Sequence, residues 1–150
     1  MSNLLVNKKA TLNYFVTDTY QAGLQLHGLE VKSLRKKQGS LAGSFVVQID
    51  SELWLKGAYI PPYQPNNTPD SYDPYRMRKL LIKKSELKKI DMSRKSAGLT
   101  LIPIKLYNNG RYLKLEIALA RGKKKFDKRE TLKKHDIDRD LGRTLKNRSK

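Results

Sequence analysis

The residues of this 150-residue chain best suited to chemistry lie together near its end, in the stretch RGKKKFDKRE from Arg121 to Glu130. Its lysines and arginines can meet a polyanion, and Phe126 offers a flat, apolar face among them. A phenyl ring among solvated cations gains little from its own neighbours, so the arrangement asks for a flat or apolar visitor. The competing reading is a solvated basic terminus with no role. Covalent chemistry has thinner support. The only histidines are His27 and His135; His135 sits in the terminal stretch, where no pocket would position it, and His27 precedes a glycine and reads as a turn residue. There is no cysteine, which removes disulfides, thiolate metal sites and a cysteine nucleophile, and fits a reducing compartment. A metal would need several converging ligands, and Gly122-Lys123 lacks the earlier glycine of a phosphate-cradling loop. The expectation is a protein with no active site, no metal and no cofactor.

Charge supplies the positive indication. Lys and Arg number 32 against 14 Asp and Glu, a formal net charge of +18, well beyond what solubility requires. The default partner is a polyanion. Nucleic acid is preferred to a membrane surface because the cations are spread through folded-looking segments, with no long helix basic on one face and apolar on the other. The start of the chain has only the short apolar run Leu4 to Val6, and nothing later approaches the roughly 20 apolar residues of a membrane span. A soluble, unexported, cytoplasmic protein is expected.

The elements that would position these groups are mainly strands. In LTLIPIKLYNNGRYLKLEIALA, residues 99–120, two strand-like runs flank Asn109-Gly110, a favoured tight-turn pair. In the second run Leu113, Leu115, Ile117 and Leu119 alternate with Tyr112, Lys114, Glu116 and Ala118, one set for a core and one for solvent. Pro103 has no backbone donor, so the first run lies at an edge or carries a bulge. A second hairpin is expected over residues 44–60, turning near Asp50-Ser51, and ATLNYFVTD, residues 10–18, supplies an earlier strand. A first helix is read over residues 28–37, with Glu30 in its opening turn and Arg35, Lys36 and Lys37 at its end. A second is read from Asp73-Pro74 onward, with a break near Ser85. Between them residues 61–74 hold five of the six prolines and form an exposed, semi-rigid loop. Short antiparallel strands with helices between them suggest an α+β fold that is mainly β, a small OB-like antiparallel barrel with flanking helices and a basic C-terminal tail. One core domain is expected over residues 1–120.

Residues 121–150 hold 13 Lys and Arg and five Asp and Glu, a net of +8, with too few apolar side chains for a core. Asp127 and Glu130 stand at capping-box spacing, and Ile137, Leu141 and Leu145 recur every four residues. The expected behaviour is disorder alone and helix on a partner.

Five blocks, NKKATLNYFV, QAGLQLHGLEVKSLR, DPYRMRKLLI, TLIPIKLY and ALARGKKKFDKRE, resemble the SmpB family, the tmRNA-binding (SsrA-binding) proteins of bacterial trans-translation. The blocks fall in family order over about residues 7 to 130. The resemblance implies an OB-like barrel that grips the tRNA-like domain of tmRNA, and a basic tail that probes the decoding centre and the empty messenger channel of a stalled ribosome. It implies a protein that delivers alanyl-tmRNA for ribosome rescue, touching small-subunit rRNA, with the tRNA-delivering elongation factor engaged only indirectly through alanyl-tmRNA. The protein is expected to act as a monomer, without a membrane.

Carried over residue by residue, the resemblance places Gln21, Gly23, Leu81 and Lys83 on the tmRNA-binding face, with Lys8, Lys9 and Arg35 as nearby candidates. Gly122, Lys123, Lys124, Phe126, Asp127, Lys128 and Arg129 form the implied decoding-centre segment. Bland readings stand beside these: Leu81 as helix packing, Gly23 as a turn, the lysines as a solvated surface, Glu30 as a helix-start residue. Two positions depart from the family pattern. Gln21 stands where an acid is common, which removes the charge-assisted part of a carboxylate's bond to RNA. Phe126 stands where His or Tyr is usual, keeping the stacking face without a donor. Two other classes stay open, an OB-like translation protein that binds rRNA alone and an enzyme responsive to polyanions.

Overall fold

The computed structural model describes residues 2–123 and Arg129. Seven strands and three helices follow one another as β1 (Ser2–Val6), α1 (Ala10–Asn13), β2 (Tyr14–Leu24), α2 (Gly28–Arg35), β3 (Phe45–Ile49), β4 (Glu52–Lys56), β5 (Arg78–Leu81), α3 (Lys84–Ala97), β6 (Thr100–Asn109) and β7 (Tyr112–Gly122). All strand pairs are antiparallel, in one sheet of order β1-β6-β7-β2-β5-β4-β3. The sheet curls until its edge strand β3 lies against β6, yet among the described residues no ladder joins the two edges, so the barrel-like fold stays open. Its concave side holds the core, where Leu34 of α2 and Ile90 of α3 join Leu53, Leu55, Leu106, Leu115, Ile117 and Leu119, each at most 1% exposed. A smaller cluster of Ala10, Ile102, Ala118 and Ala120 lies apart from that core, with Tyr14 and Ile104 packed on it.

The long hairpin of β6 and β7 forms as expected, with a turn one residue further on, but Ala118, expected on the solvent face, is buried with Ala10, Ile102 and Ala120. Asn109 pairs with Tyr112, so the two turn residues are Gly110 and Arg111, and only Gly110 takes a positive φ, 62°. A positive angle at the first central residue alone is the II′ pattern, which wants glycine there, whereas an Asn-Gly turn wants both residues positive. Pro103 is handled by a bulge: the β6–β7 register shifts between Pro103 and Lys105, and β6 lies inside the sheet between β1 and β7. The β3–β4 hairpin turns at Asp50-Ser51 as expected, with Ile49 opposite Glu52.

Two expectations are corrected. Residues 10–13 are helical and β2 begins only at Tyr14, then runs through Gln21 and Gly23 to Leu24. The helix expected from Pro74 is a strand followed by a helix: residues 78–81 are β5, and α3 starts at Lys84, with Lys83 as its N-cap in an extended conformation. Arg78 and Leu80 are buried and Leu81 is exposed. That two-residue alternation was hidden in the sequence by Arg78, a core residue written in a charged letter. The helical positions expected at Ile137, Leu141 and Leu145 lie outside the described residues.

Residues 61–74 are largely exposed, and the structure ties them down. Ser33 of α2 donates to Pro61 O at 2.7 Å, the Tyr72 hydroxyl donates to Ile60 O at 2.7 Å, and Arg78 Nη2 donates to Pro74 O at 2.9 Å.

Candidate nucleic-acid interface

The sheet's convex face is set by strand parity. Ala22, Leu80 and Leu115 point inward and are buried, so Gln21, Gly23, Leu81, Lys114 and Glu116 stand on the opposite face. Register brings them together: Gly23 is flanked by Leu81 on β5 and Lys114 on β7, and Gln21 lies opposite Glu116. Gly23 leaves this face low. A Cβ built there would meet the Leu81 Cβ at 3.3 Å, tighter than an ordinary contact. Leu81 is 48% exposed, which removes its reading as helix packing. Beside it, Gly23, Leu26, Val31, Leu81, Arg111 and Lys114 line a cavity of about 390 Å³. Tyr112 closes the hairpin end of the cavity and is 71% exposed. Arg35 reaches the same end, with Nη2 donating to Arg111 O at 3.1 Å. The result is an apolar floor rimmed by cations and one exposed ring, a surface suited to a ribose or base edge flanked by phosphates.

Of the expected barrel-side residues, Gln21, Gly23, Leu81 and Arg35 therefore fall on one continuous surface, and Lys83 stands exposed two residues beyond Leu81. Lys8 and Lys9 do not join them. They border a separate depression with Gly39, Ser40, Leu41 and Ala42, and the two depressions share no residue.

Gln21 is held from the side. Tyr107 pairs with Lys114 and so stands on the same convex face; its hydroxyl donates to Gln21 Oε1. Burial, with Glu116 nearby, pushes the Tyr107 phenol above its ordinary value, so it remains a donor at neutral pH. Glu116 in turn faces Lys105, whose Nζ lies 3.6 Å from Oε2.

The start of the basic segment is part of the sheet. Arg121 pairs with Phe15 and Gly122 with Tyr14, and Lys123 N–H donates to Asn13 O at 2.8 Å. The Arg121 guanidinium lies 5.0 Å and the Lys123 ammonium 4.7 Å from the Phe15 ring centroid, both within cation–π range. Arg129 is exposed. Lys124, Phe126, Asp127 and Lys128 lie outside the described residues.

Sequence reasoning missed the ionic group beneath the site. Glu30, fully buried, accepts the His27 N–H at 2.8 Å as a helix-start residue should, and it also accepts from Arg76 and from Arg78 Nε at 2.7 Å. Burial pushes the carboxyl up, but the Arg76, His27 and Arg78 contacts outweigh it and hold it below its ordinary value. Arg111, Tyr112 and Lys114 were also passed over. The outward position of Tyr112 and Lys114 in the β7 alternation was the available clue.

A family model described as SmpB protein matches residues 4–147. An SsrA-binding protein of Brucella canis is 47% identical over 143 residues, 95% of this chain and 90% of that protein. The SsrA-binding protein of Enterococcus hirae is 42% identical over 144 residues, 96% of this chain and 93% of its own length. A solved structure described as "tmRNA-SmpB: a journey to the center of the bacterial ribosome" superposes with a TM-score of 0.65 at 41% identity, over 85% of this chain and 92% of that one.

Proposed function

From the premise that this chain belongs to the SmpB family, we propose that it binds the tRNA-like domain of tmRNA through the convex face around Gly23 and Leu81 and delivers alanyl-tmRNA to stalled ribosomes. The observation that carries the barrel-side reading is the low, apolar patch of Gly23 and Leu81 enclosed by Lys114, Arg111 and Arg35. Apolar contact and shape there select a folded RNA, while the surrounding cations and the net +18 charge draw it in. Gln21, Gly23, Leu81 and Lys83 are the contact residues, and Arg35 supports the rim. Lys8 and Lys9 contact phosphate elsewhere on the RNA.

The segment from Gly122 onward serves the ribosome. Lys123, Lys124, Lys128 and Arg129 meet small-subunit rRNA phosphates, and Phe126 stacks on a base. The remainder of residues 121–150 enters the vacant messenger channel. The division is one of labour, the sheet that β7 closes at Gly122 for tmRNA and the basic segment that leaves it for the ribosome. The protein works by binding, in the cytoplasm and without turnover. Family membership supports this, the SmpB proteins being RNA-binding proteins; among the described residues no helix is long and apolar enough to cross a membrane.

Gel-shift titration with the tRNA-like domain of tmRNA and with a generic hairpin RNA tests the reading. At moderate salt the tRNA-like RNA is expected to bind at least tenfold more tightly. Lys83→Glu weakens it several-fold and lowers the salt slope by about one if that residue meets a phosphate. Gly23→Val, which drives a branched side chain against Leu81, weakens it further. Equal affinity for both RNAs would overturn the reading, and tight binding to rRNA fragments alone would point to a ribosomal protein instead.

A further inference from the structure

Gln21 sits at the centre of the convex face with its side chain already committed on one side. Tyr107 donates its hydroxyl proton to Oε1, and an amide whose oxygen is engaged presents its NH2 group elsewhere. Tyr107 itself is fixed, being buried on the convex face and locked in register between Asn3 of β1 and Lys114 of β7. Glu116 stands directly opposite Gln21 in the β2–β7 ladder. A carboxylate at position 21 would oppose Glu116 with like charge and would offer only acceptors outward. An amide avoids the repulsion and reverses the polarity of what the surface offers.

We propose that Gln21 is a hydrogen-bond donor that reads an acceptor atom on the bound RNA, and that Tyr107 is the positioning residue that turns its amide to do so. This rests on the reading that the convex face binds RNA. It assigns a specificity role to a residue within the sheet, Tyr107, that touches no RNA. It also states that Gln21 is not a weakened acid: the site takes a base carbonyl, ring nitrogen, ribose oxygen or phosphate oxygen where a carboxylate would take an amino or hydroxyl group.

The test uses the full chain and the tRNA-like domain of tmRNA. Gln21→Ala is expected to weaken binding about fivefold, the worth of one neutral hydrogen bond, and Gln21→Glu more than tenfold. Tyr107→Phe weakens binding about threefold in the unsubstituted chain and has no effect when position 21 is Ala. Gln21→Glu binding as tightly as the unsubstituted chain, or Tyr107→Phe weakening both backgrounds equally, would overturn the proposal. A generic hairpin RNA separates the sources of the acceptor, since loss confined to the tRNA-like RNA marks a base atom and equal loss on both marks a ribose or phosphate oxygen. Nitrogen-proton spectra need no variant to fold. The Gln21 side-chain amide protons shift and exchange more slowly on adding RNA, and unchanged amide protons would overturn the proposal. Failure of the unsubstituted chain to bind tmRNA at all would remove the functional reading together with this one, whereas specific binding without Gln21–Tyr107 coupling would remove this one alone.

Discussion

Arg78 Nε donates to Glu30 Oε2 across 2.7 Å, and both side chains are fully buried. The guanidinium directs its other donors to three backbone carbonyls and a hydroxyl, Nη1 to Ala58 O at 2.9 Å and Arg76 O at 3.0 Å, and Nη2 to Pro74 O at 2.9 Å and the Tyr72 hydroxyl at 3.5 Å. One side chain thus joins the start of α2, the proline-rich segment and β5. Because β5 is only four residues long and ends in Leu81, fixing Arg78 also fixes where Leu81 stands against Gly23. The ion pair is the footing of the candidate RNA face.

Removing one partner of a buried pair strands the other, at a cost of about 3–5 kcal/mol. Arg78→Leu is therefore expected to lower the unfolding free energy by about 3 kcal/mol, the lower end of that range, since Glu30 keeps Arg76 and Pro74 O keeps the Ile60 N–H, while Ala58 O and Arg76 O lose the Arg78 donor. Lys79→Ala, one residue along, removes an exposed bridge to Glu52 of 3.0 Å and should cost less than about 1 kcal/mol. Urea unfolding of the two variants side by side measures the difference. Equal midpoints would show that the buried group does not hold the fold.

The same carboxylate makes stability depend on acid. Glu30 is held below its ordinary value of 4.5 in the folded state, so the unfolded chain takes up its proton first as pH falls. Its contribution is whole above the unfolded value and is lost as pH drops through the lower folded one. The prediction is that the stability gap between the unsubstituted chain and Glu30→Gln is widest near neutral pH and narrows below about pH 4.5. Urea midpoints measured at intervals down to about pH 3 check it. A gap that stays constant would mean the charge itself contributes nothing.

Strand alternation and turn chemistry made β6, β7, β3 and β4 readable in the sequence, because the period of two survives in most of their letters; it fails where Ala118 and Ala120 bury the second face of β7 as well. The site was readable only in part. Gly23 and Leu81 were reached through family resemblance and are brought into register by a pairing of β2 with β5, strands that α2 and the β3–β4 hairpin separate along the chain, which no local pattern encodes. Arg78 and Glu30 defeated the reading for the opposite reason: charged residues score as surface, and only three-dimensional pairing makes their burial tolerable. The segment from Tyr75 to Ile90 looked helical because lysine and leucine favour helix, but tertiary pairing with Leu53, Trp54 and Leu55 overrode that propensity in β5.

The boundary between core and basic segment can be placed by truncation. A chain ending at Lys123 keeps the pairs Tyr14–Gly122 and Phe15–Arg121, the Lys123 N–H bond to Asn13 and both cations over Phe15. It should unfold like the full chain and bind the tRNA-like RNA with similar affinity. A chain ending at Ala120 has none of these and should be less stable by about 2–3 kcal/mol, at roughly 1 kcal/mol for each hydrogen bond removed. Thermal unfolding and gel shift on both chains decide it. Identical stability would return the boundary to Ala120, and failure of the chain ending at Lys123 to bind RNA would overturn the division of labour.

Phe126 is the residue whose chemistry most needs a partner, and its substitution separates the two halves of the proposed function. Stacking requires a flat ring, which Tyr keeps and Ala lacks, and a base–aromatic contact is worth about 1–3 kcal/mol. Phe126→Ala is accordingly expected to leave binding to the tRNA-like RNA unchanged while cutting peptide tagging on stalled ribosomes about tenfold, with Phe126→Tyr close to the unsubstituted chain. Replacing Lys128 and Arg129 together by Ala should behave like Phe126→Ala, but with a deficit that shrinks as salt rises, because on the proposed function those side chains meet phosphates, and salt weakens phosphate contacts in the unsubstituted chain. A reconstituted tagging assay run beside gel shifts separates the two effects. Weakened tmRNA binding in either variant would mean that the basic segment belongs to the tmRNA site, and full tagging by Phe126→Ala would leave the ring without a partner on the ribosome.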